Sequence, residues 1–150
     1  MEQTVETARS EFIEKLGLIM QTEGLPRTAG RIMGLLVWEG TPVAFCDLAT
    51  ELQISRGSVS TATRLLEDKF MIKRVTKAGE RQDYFQLAPK SYETMVSDLS
   101  RQFRRKSDDL RSTLDDVPEC AADIRARVNG YADMLSSLSE KIGELAREMD

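Results

Sequence analysis

The chain has no histidine among its 150 residues. The commonest general base, the commonest transition-metal ligand and the usual charge switch near neutral pH are therefore missing. Cysteine is scarce. Cys46 and Cys120 are the only two, too few for a disulfide framework or a zinc site. The opening Met1-Glu2-Gln3-Thr4-Val5 lacks a basic stretch followed by an apolar one, so no signal peptide is expected. No apolar run approaches the ~18 residues of a membrane span. A cytoplasmic, reducing location without a membrane partner is the expectation. Glycine loops that cradle phosphate and glycine-flanked nucleophiles are also missing. These absences point away from an enzyme and away from any cofactor or metal.

What is present is an ordinary globular composition, 41% hydrophobic and 31% charged. It suits one domain, or one domain with an oligomerisation arm. The net charge of −4 hides a gradient. Residues 1–25 carry two basic and five acidic side chains, and residues 112–150 carry four and nine. Residues 26–111 carry fifteen and eleven, a surplus of +4. Within them, residues 53–81 hold Arg56, Arg64, Lys69, Lys73, Arg74, Lys77 and Arg81 against Glu67, Asp68 and Glu80. An acidic protein with such a basic centre can still meet a polyanion through that segment.

Apolar spacing predicts the elements. Phe12, Ile13, Leu16, Ile19 and Met20 mark a first helix, ended by Gly24 and Pro26. A second helix starts at Pro26 and carries Ile32, Met33, Leu35, Leu36 and Trp38. Gly30 and Gly34 lie on one face of it. Each costs a helix interior up to ~1 kcal/mol, and close approach of a neighbouring helix is the expected compensation. Glu39-Gly40-Thr41-Pro42 breaks the chain.

A short amphipathic stretch from Phe45 to Leu52 follows, then a turn at Gln53-Ile54. Ser55 is a good N-cap for a helix from Arg56 to about Phe70. Its inward side holds Val59, Ala62, Leu65 and Leu66. Its outward side holds Arg56, Ser58, Ser60, Thr61 and Arg64. The period then changes to alternation. Met71–Val75 and Tyr84–Leu87 bracket Thr76–Arg81, which reads as a hairpin with a cationic loop at Lys77 and Arg81. From Ser91 the chain is helical, with Tyr92, Met95, Val96, Leu99, Phe103 and Leu110 on one face. The last helix carries Ile124, Val128, Tyr131, Leu135, Leu138, Ile142, Leu145 and Met149, spaced alternately four and three apart. That narrow heptad stripe needs a partner, from this chain or from a second copy.

A short helix, a tight turn, a longer helix opening on small polar residues and a basic-tipped hairpin make a winged helix-turn-helix. A helix fits the major groove of B-form DNA, where base edges are distinguishable. Arg56 and Arg64 are candidates for base edges or phosphates, and Ser55, Ser58, Ser60 and Thr61 are short donors. Lys77 and Arg81 suit the backbone or the adjacent minor groove. Of Lys73 and Arg74, one alternates outward and the other is placed to pair with Glu67 or Asp68. Arg74 is kept as a candidate contact.

The run Phe12-Ile13-Glu14-Lys15-Leu16-Gly17, then Gly24-Leu25-Pro26-Arg27-Thr28-Ala29-Gly30-Arg31-Ile32-Met33-Gly34-Leu35-Leu36, resembles the GbsR-like branch of the MarR family of bacterial transcriptional regulators. The stretch from Asp47 to Ser60 resembles that branch's helix-turn-helix. Arg74-Val75, Gly79-Glu80-Arg81 and Tyr84-Phe85 resemble its wing. Ala44 departs from the pattern, since a capping Ser or Thr is usual there. The resemblance covers roughly residues 10–90. It implies a homodimer with interlocking terminal helices, acting on a double-stranded DNA operator as a repressor or activator. It also implies DNA affinity that changes with a small-molecule effector.

The expectation is a mainly α fold with a small β-hairpin wing. Residues 1–25 form an N-terminal dimerisation helix, 26–90 the winged helix-turn-helix and 91–150 a C-terminal helical dimerisation arm. Phe12, Leu16, Val128, Tyr131, Leu135, Leu138, Ile142 and Leu145 are the expected dimer contacts. The function expected is sequence-specific binding of a pseudo-palindromic operator. A winged-helix protein-interaction module without DNA binding is the alternative. Arg101, Arg104, Arg105 and Lys106 read better as a solvated face than as phosphate contacts. Cys46 and Cys120 read as packing residues before redox sensors. Trp38, Tyr84 and Tyr131 read as packing aromatics before a cage for a cationic ligand.

Overall fold

The computed structural model describes residues 1–150 and resolves them into two compact units, Met1–Ser91 and Tyr92–Asp150. No helix is long and apolar enough to cross a membrane. The chain runs α1 (Glu2–Thr22), α2 (Arg27–Glu39), β1 (Val43–Ala44), α3 (Phe45–Leu52), α4 (Arg56–Asp68), β2 (Ile72–Val75) and β3 (Tyr84–Leu87). Then come α5 (Ser91–Ser112), a 3-10 turn (Thr113–Asp116) and α6 (Ala122–Glu148). This is the mainly α fold with a small wing that the periodicity predicts.

In the first unit α1 lies on α2, and small residues set how close they come. A Cβ built on Gly30 would stand 2.7 Å from Gly17 Cα and 2.9 Å from the Leu16 carbonyl. One built on Gly34 would stand 2.9 Å from Ile13 Cα. The two glycines of α2 are thus explained by the crossing helix, as their spacing suggests. Gly17 of α1 completes the crossing. The buried line of α1 is Ile13, Gly17 and Met20. Ile19, expected on the packed face, is exposed, as is Leu18. Smallness at Gly17 selects the seam, and the seam leaves Ile19 outside it. Phe12 and Leu16 are half-buried, and Phe12 stacks on Trp38 with centroids 5.8 Å apart.

Residues Ile32, Met33, Leu35 and Leu36 of α2 form the centre of the core, with Leu48, Leu52, Val59, Leu66, Ile72 and Phe85 around them. Each such side chain contributes on the order of 1.5–3 kcal/mol by leaving water. Gly40, in the left-handed region at φ 69°, stops α2. The wing has a third strand that sequence reading omits. β1 pairs antiparallel with β3 (Val43 opposite Phe85, Ala44 opposite Tyr84), and β3 pairs with β2 (Ile72 opposite Leu87). The order β1-β3-β2 puts Phe85 in the middle strand, fully buried.

The second unit is an antiparallel helical hairpin, and its seam is polar and small. Ser100 Oγ donates to the Ser139 carbonyl at 2.7 Å, and Ser139 Oγ returns a bond to the Ser100 carbonyl at 2.8 Å. One heptad away Ser107 Oγ donates to the Ala132 carbonyl at 2.8 Å. Ser107, Leu114, Ala132, Leu135, Ser139 and Ala146 are buried. Arg125 caps the far end, donating to the carbonyls of Leu114 and Val117, each at 2.9 Å.

This seam divides the expected α6 stripe. Leu135 is 9% exposed and belongs to the hairpin interior, with Val128 and Ile142 half-buried beside it. Leu135 is thus not available as the outward dimer contact expected of it. Ile124, Tyr131, Leu138 and Leu145, spaced seven apart, stay 47%, 60%, 42% and 51% exposed. On α5 the same thing happens. The seam runs through Ser100 and Ser107, while Tyr92 and Leu99 are exposed and Phe103 is half-buried.

Candidate nucleic-acid interface

The first helix of the motif, α3, begins at Ala44 without a side-chain cap. The sheet supplies one instead, because the Phe45 N–H donates to the Asp83 carbonyl at 2.9 Å. The start of α3 is therefore fixed to the wing. Cys46 Sγ donates to Gln82 Oε1 at 2.9 Å and adds a second tie. α3 ends at Gln53, which takes the left-handed conformation at φ 53° although it is not glycine. Ile54 follows, and Ser55 then caps α4, its Oγ accepting from the Ser58 N–H at 3.0 Å. This is the role its place in the sequence predicts.

Along α4, Val59, Ala62, Thr63 and Leu66 are buried. Thr63 is missing from the inward set read from sequence because threonine counts as polar. Its Oγ1 donates to the Val59 carbonyl at 2.8 Å, which removes the cost of burying it. The opposite face presents Ser55, Arg56, Gly57, Ser58, Thr61 and Arg64, all exposed. Ser60 departs from the outward set. It is half-buried, and its Oγ accepts from Arg64 Nη2 at 3.3 Å. A groove of about 480 Å³ runs along Ser55, Ser58, Thr61 and Leu65 toward Pro26 and Thr28 at the start of α2.

The cations around this face fall into two groups. Arg74 is engaged inside the protein. Its Nη2 donates to Glu67 and its Nη1 to Asp83, both at 3.0 Å, and its guanidinium lies 5.4 Å from the Phe85 ring centre. The hydrogen bond and charge of Glu67, with Asp83 beyond it, raise its pKa further against the opposing effect of burial. Arg74 holds the wing to α4, and a phosphate would have to displace two carboxylates to reach it. The pairing with Glu67 expected from the sequence is borne out, while the side chain stays half exposed.

Arg56, Arg64, Lys77 and Arg81 have no carboxylate partner. Arg56 rests over the Phe45 ring at 4.9 Å, and Lys77 Nζ over the Tyr84 ring at 4.0 Å. Tyr84 also donates to Glu80, whose carboxylate pushes the phenol pKa up. Arg56 and Arg81 flank a cleft of about 210 Å³, with Phe45, Gln82 and Asp83 completing its wall. An uncommitted guanidinium on an aromatic face can leave it at little cost, since such contacts contribute only about 0.5–1 kcal/mol when exposed. No cluster of His, Cys, Asp or Glu is arranged to hold a metal ion. Cys46 and Cys120 are free thiols.

A capped, polar-faced helix on a short helix and turn, beside a three-stranded wing with unpaired cations, defines a winged helix-turn-helix. No protein-family model matches the chain. The HTH-type transcriptional regulator MmpR5 of Mycobacterium tuberculosis (strain ATCC 25618 / H37Rv) is 30% identical over 142 residues, 91% of this chain and 86% of that protein. The chain belongs to this family of HTH-type transcriptional regulators, and its function is non-enzymatic. The HTH-type transcriptional repressor OpcR of Bacillus subtilis (strain 168) is 28% identical over 93 residues, 62% of this chain and 50% of the repressor. A crystal structure of a transcriptional regulator superposes with a TM-score of 0.71 at 26% identity, covering 95% of this chain and 97% of the other.

Proposed function

We propose that this regulator is a homodimer of the MarR kind, in its GbsR-like branch, that represses by binding a pseudo-palindromic operator in double-stranded DNA. The observation that carries the reading is the sorting of cations. Arg56 and Arg64 on α4, and Lys77 and Arg81 on the wing, lack carboxylate partners, while Arg74 between them is paired. In this reading Ser55, Ser58, Ser60 and Thr61 approach the groove edges, Arg56 and Arg64 reach bases or phosphates, and the wing cations hold the backbone. Residues 26–90 read the DNA.

Dimerisation through 1–25 and 91–150 is supported by the apolar side chains left outside both helical seams. Ile124, Tyr131, Leu138 and Leu145 stay in one line on α6, and Leu18 and Ile19 stay outside on α1. A continuous apolar line of this kind is a contact surface awaiting a partner. A second copy supplies the same line, as two-fold association requires. A two-fold dimer sets its reading helices about one turn of DNA apart. Control by a small effector acts here only if the effector binds two spacings of the reading heads unequally.

The test is selection of bound duplexes from random DNA, followed by salt titration of the winner. An inverted repeat is expected. If Arg64, Lys77 and Arg81 each neutralise one phosphate in both protomers, log K falls against log salt with a slope of about −5. Lys77→Ala should lower that slope in magnitude and weaken all duplexes alike. Arg56→Ala should instead loosen discrimination between operator bases. Failure of selection to enrich any sequence overturns the proposal in favour of a protein-interaction module.

A further inference from the structure

Two ion clusters away from the DNA-facing surface converge on one place, the last turn of α3. In the first, Arg9 of α1 is a nearly buried side chain, 14% exposed. Its Nε donates to Glu39 at the end of α2 (2.9 Å), its Nη2 to Glu51 on α3 (3.2 Å) and its Nη1 to Glu6 (3.3 Å). In the second, Glu14 of α1 accepts from Arg27 at 2.7 Å and from Arg31 Nε at 2.8 Å. The same Arg31 guanidinium donates through Nη2 to the Leu52 carbonyl at 3.0 Å. That carbonyl is one of the last of α3, where a helix has no N–H donor of its own to offer. Burial pushes the Glu14 carboxyl up, but the bonds and charges of the two arginines outweigh it and hold the group below its ordinary value. Leu52 is followed directly by left-handed Gln53, then Ile54 and the cap Ser55.

We infer that Arg9 and Arg31 are positioning residues that fix α4 relative to α1. The chain of contacts is short: Glu14 orients the Arg31 fork, the fork holds the Leu52 carbonyl, and three residues later stands Ser55, the cap of the reading helix. Arg9 holds the adjacent Glu51 from the other side. A planar guanidinium with several donors can bridge a carboxylate and a carbonyl at fixed geometry, which a lysine cannot. Neither arginine lines the groove along α4.

This rests on the proposed dimer. If α1 sits at the two-fold contact, the tether sets the distance and rotation between two reading heads, and thus which half-site spacing is accepted. The specificity at stake is spacing, not base identity.

The probe is the duplex selected by the wild-type chain, together with the same duplex carrying one inserted base pair between half-sites. The insertion shifts one half-site by roughly 3.4 Å and about a tenth of a turn. Wild type should prefer the selected spacing. Arg31→Met and Glu51→Gln should each cut that preference by about 2–30-fold while leaving the salt slope unchanged, because no phosphate contact is lost. Arg31→Lys should fall between. A merely structural role would lower the melting temperature and leave the spacing preference of the folded fraction intact, and that result overturns the inference. Glu51→Gln alters a half-exposed side chain and decides the matter if Arg31→Met does not fold. A wild-type protein indifferent to the insertion also overturns it. Failure to enrich any duplex is a different outcome, and it removes the DNA-binding reading itself.

Discussion

Gly30→Ala measures how tightly α1 is seated. The added methyl would meet Gly17 Cα at 2.7 Å, the Leu16 carbonyl at 2.9 Å and Met20 Cβ at 3.1 Å. Ordinary contact begins near 3.4 Å, so α1 must move away by about 0.7 Å at this point. Two of the three atoms are backbone and cannot rotate aside. Overpacking of this kind costs about 1–3 kcal/mol, and separation also loosens the contacts along the rest of the seam. Against this stands the helix-propensity gain of about 1 kcal/mol on replacing glycine with alanine. The net is a loss of up to about 2 kcal/mol, which lowers the melting temperature of a chain this size by up to roughly 8 °C. Gly34→Ala meets one close backbone atom, Ile13 Cα at 2.9 Å, and should lose less. Gly130→Ala, in the middle of α6, meets nothing within 4 Å and should gain the propensity term alone. Thermal unfolding followed by circular dichroism, with all three variants at one protein concentration, gives the order. A Gly30→Ala protein as stable as Gly130→Ala would refute the reasoning, because the helix crossing would then tolerate a methyl group.

Other outcomes follow from single contacts. Gln53→Gly should stabilise the first unit by about 0.5–1 kcal/mol, since left-handed backbone is strained for any residue with a Cβ; chemical denaturation reads the gain. Leu138→Glu puts a charge in the middle of the exposed α6 line, so if the proposed dimer forms through that line, sedimentation should show the variant as monomers where wild type associates, with helix content unchanged. The pKa of Glu14 lies below its ordinary 4.5, so its ion pairs stabilise the fold fully above that value and are lost as pH falls below it. The melting-temperature gap between wild type and Glu14→Gln should therefore be constant near neutral pH and narrow in acid.

Much of this architecture was legible because local and tertiary demands agree. Ser55 caps α4 by the same rule that makes serine a start signal. Gly30 and Gly34 cost helix propensity, and the cost itself announced a crossing helix. The wing's alternation survives because β3 is covered on one side by the core. Legibility failed where smallness replaced hydrophobicity as the packing signal. On α6 the heptad stripe reads as one surface, yet Ala132, Ser139 and Ala146 carry the intramolecular seam, and of the stripe only Leu135 is fully buried with them. The serines of that seam satisfy carbonyls of the opposite helix, a pairing that no single-helix periodicity contains. β1 was invisible because two residues show no alternation. Thr63 looked polar and is buried, because its hydroxyl bonds its own helix.

Charge was the least legible property, and it matters most for function. Counting gives residues 53–81 a surplus of +4, but a count cannot tell Arg74 from Arg81. Only the fold shows that Arg74 is neutralised by Glu67 and Asp83 while Arg81 is not. A paired guanidinium that binds phosphate must first release its carboxylates, so it exchanges one anion for another and gains little. An unpaired one gains the whole contact and displaces a condensed counterion. The same argument explains how a chain of net charge −4 can present a surface suited to a polyanion. At physiological salt, charges more than about 8 Å away are largely screened. What counts is the number of basic side chains left without carboxylate partners on α4 and the wing, and Arg56, Arg64, Lys77 and Arg81 are among them.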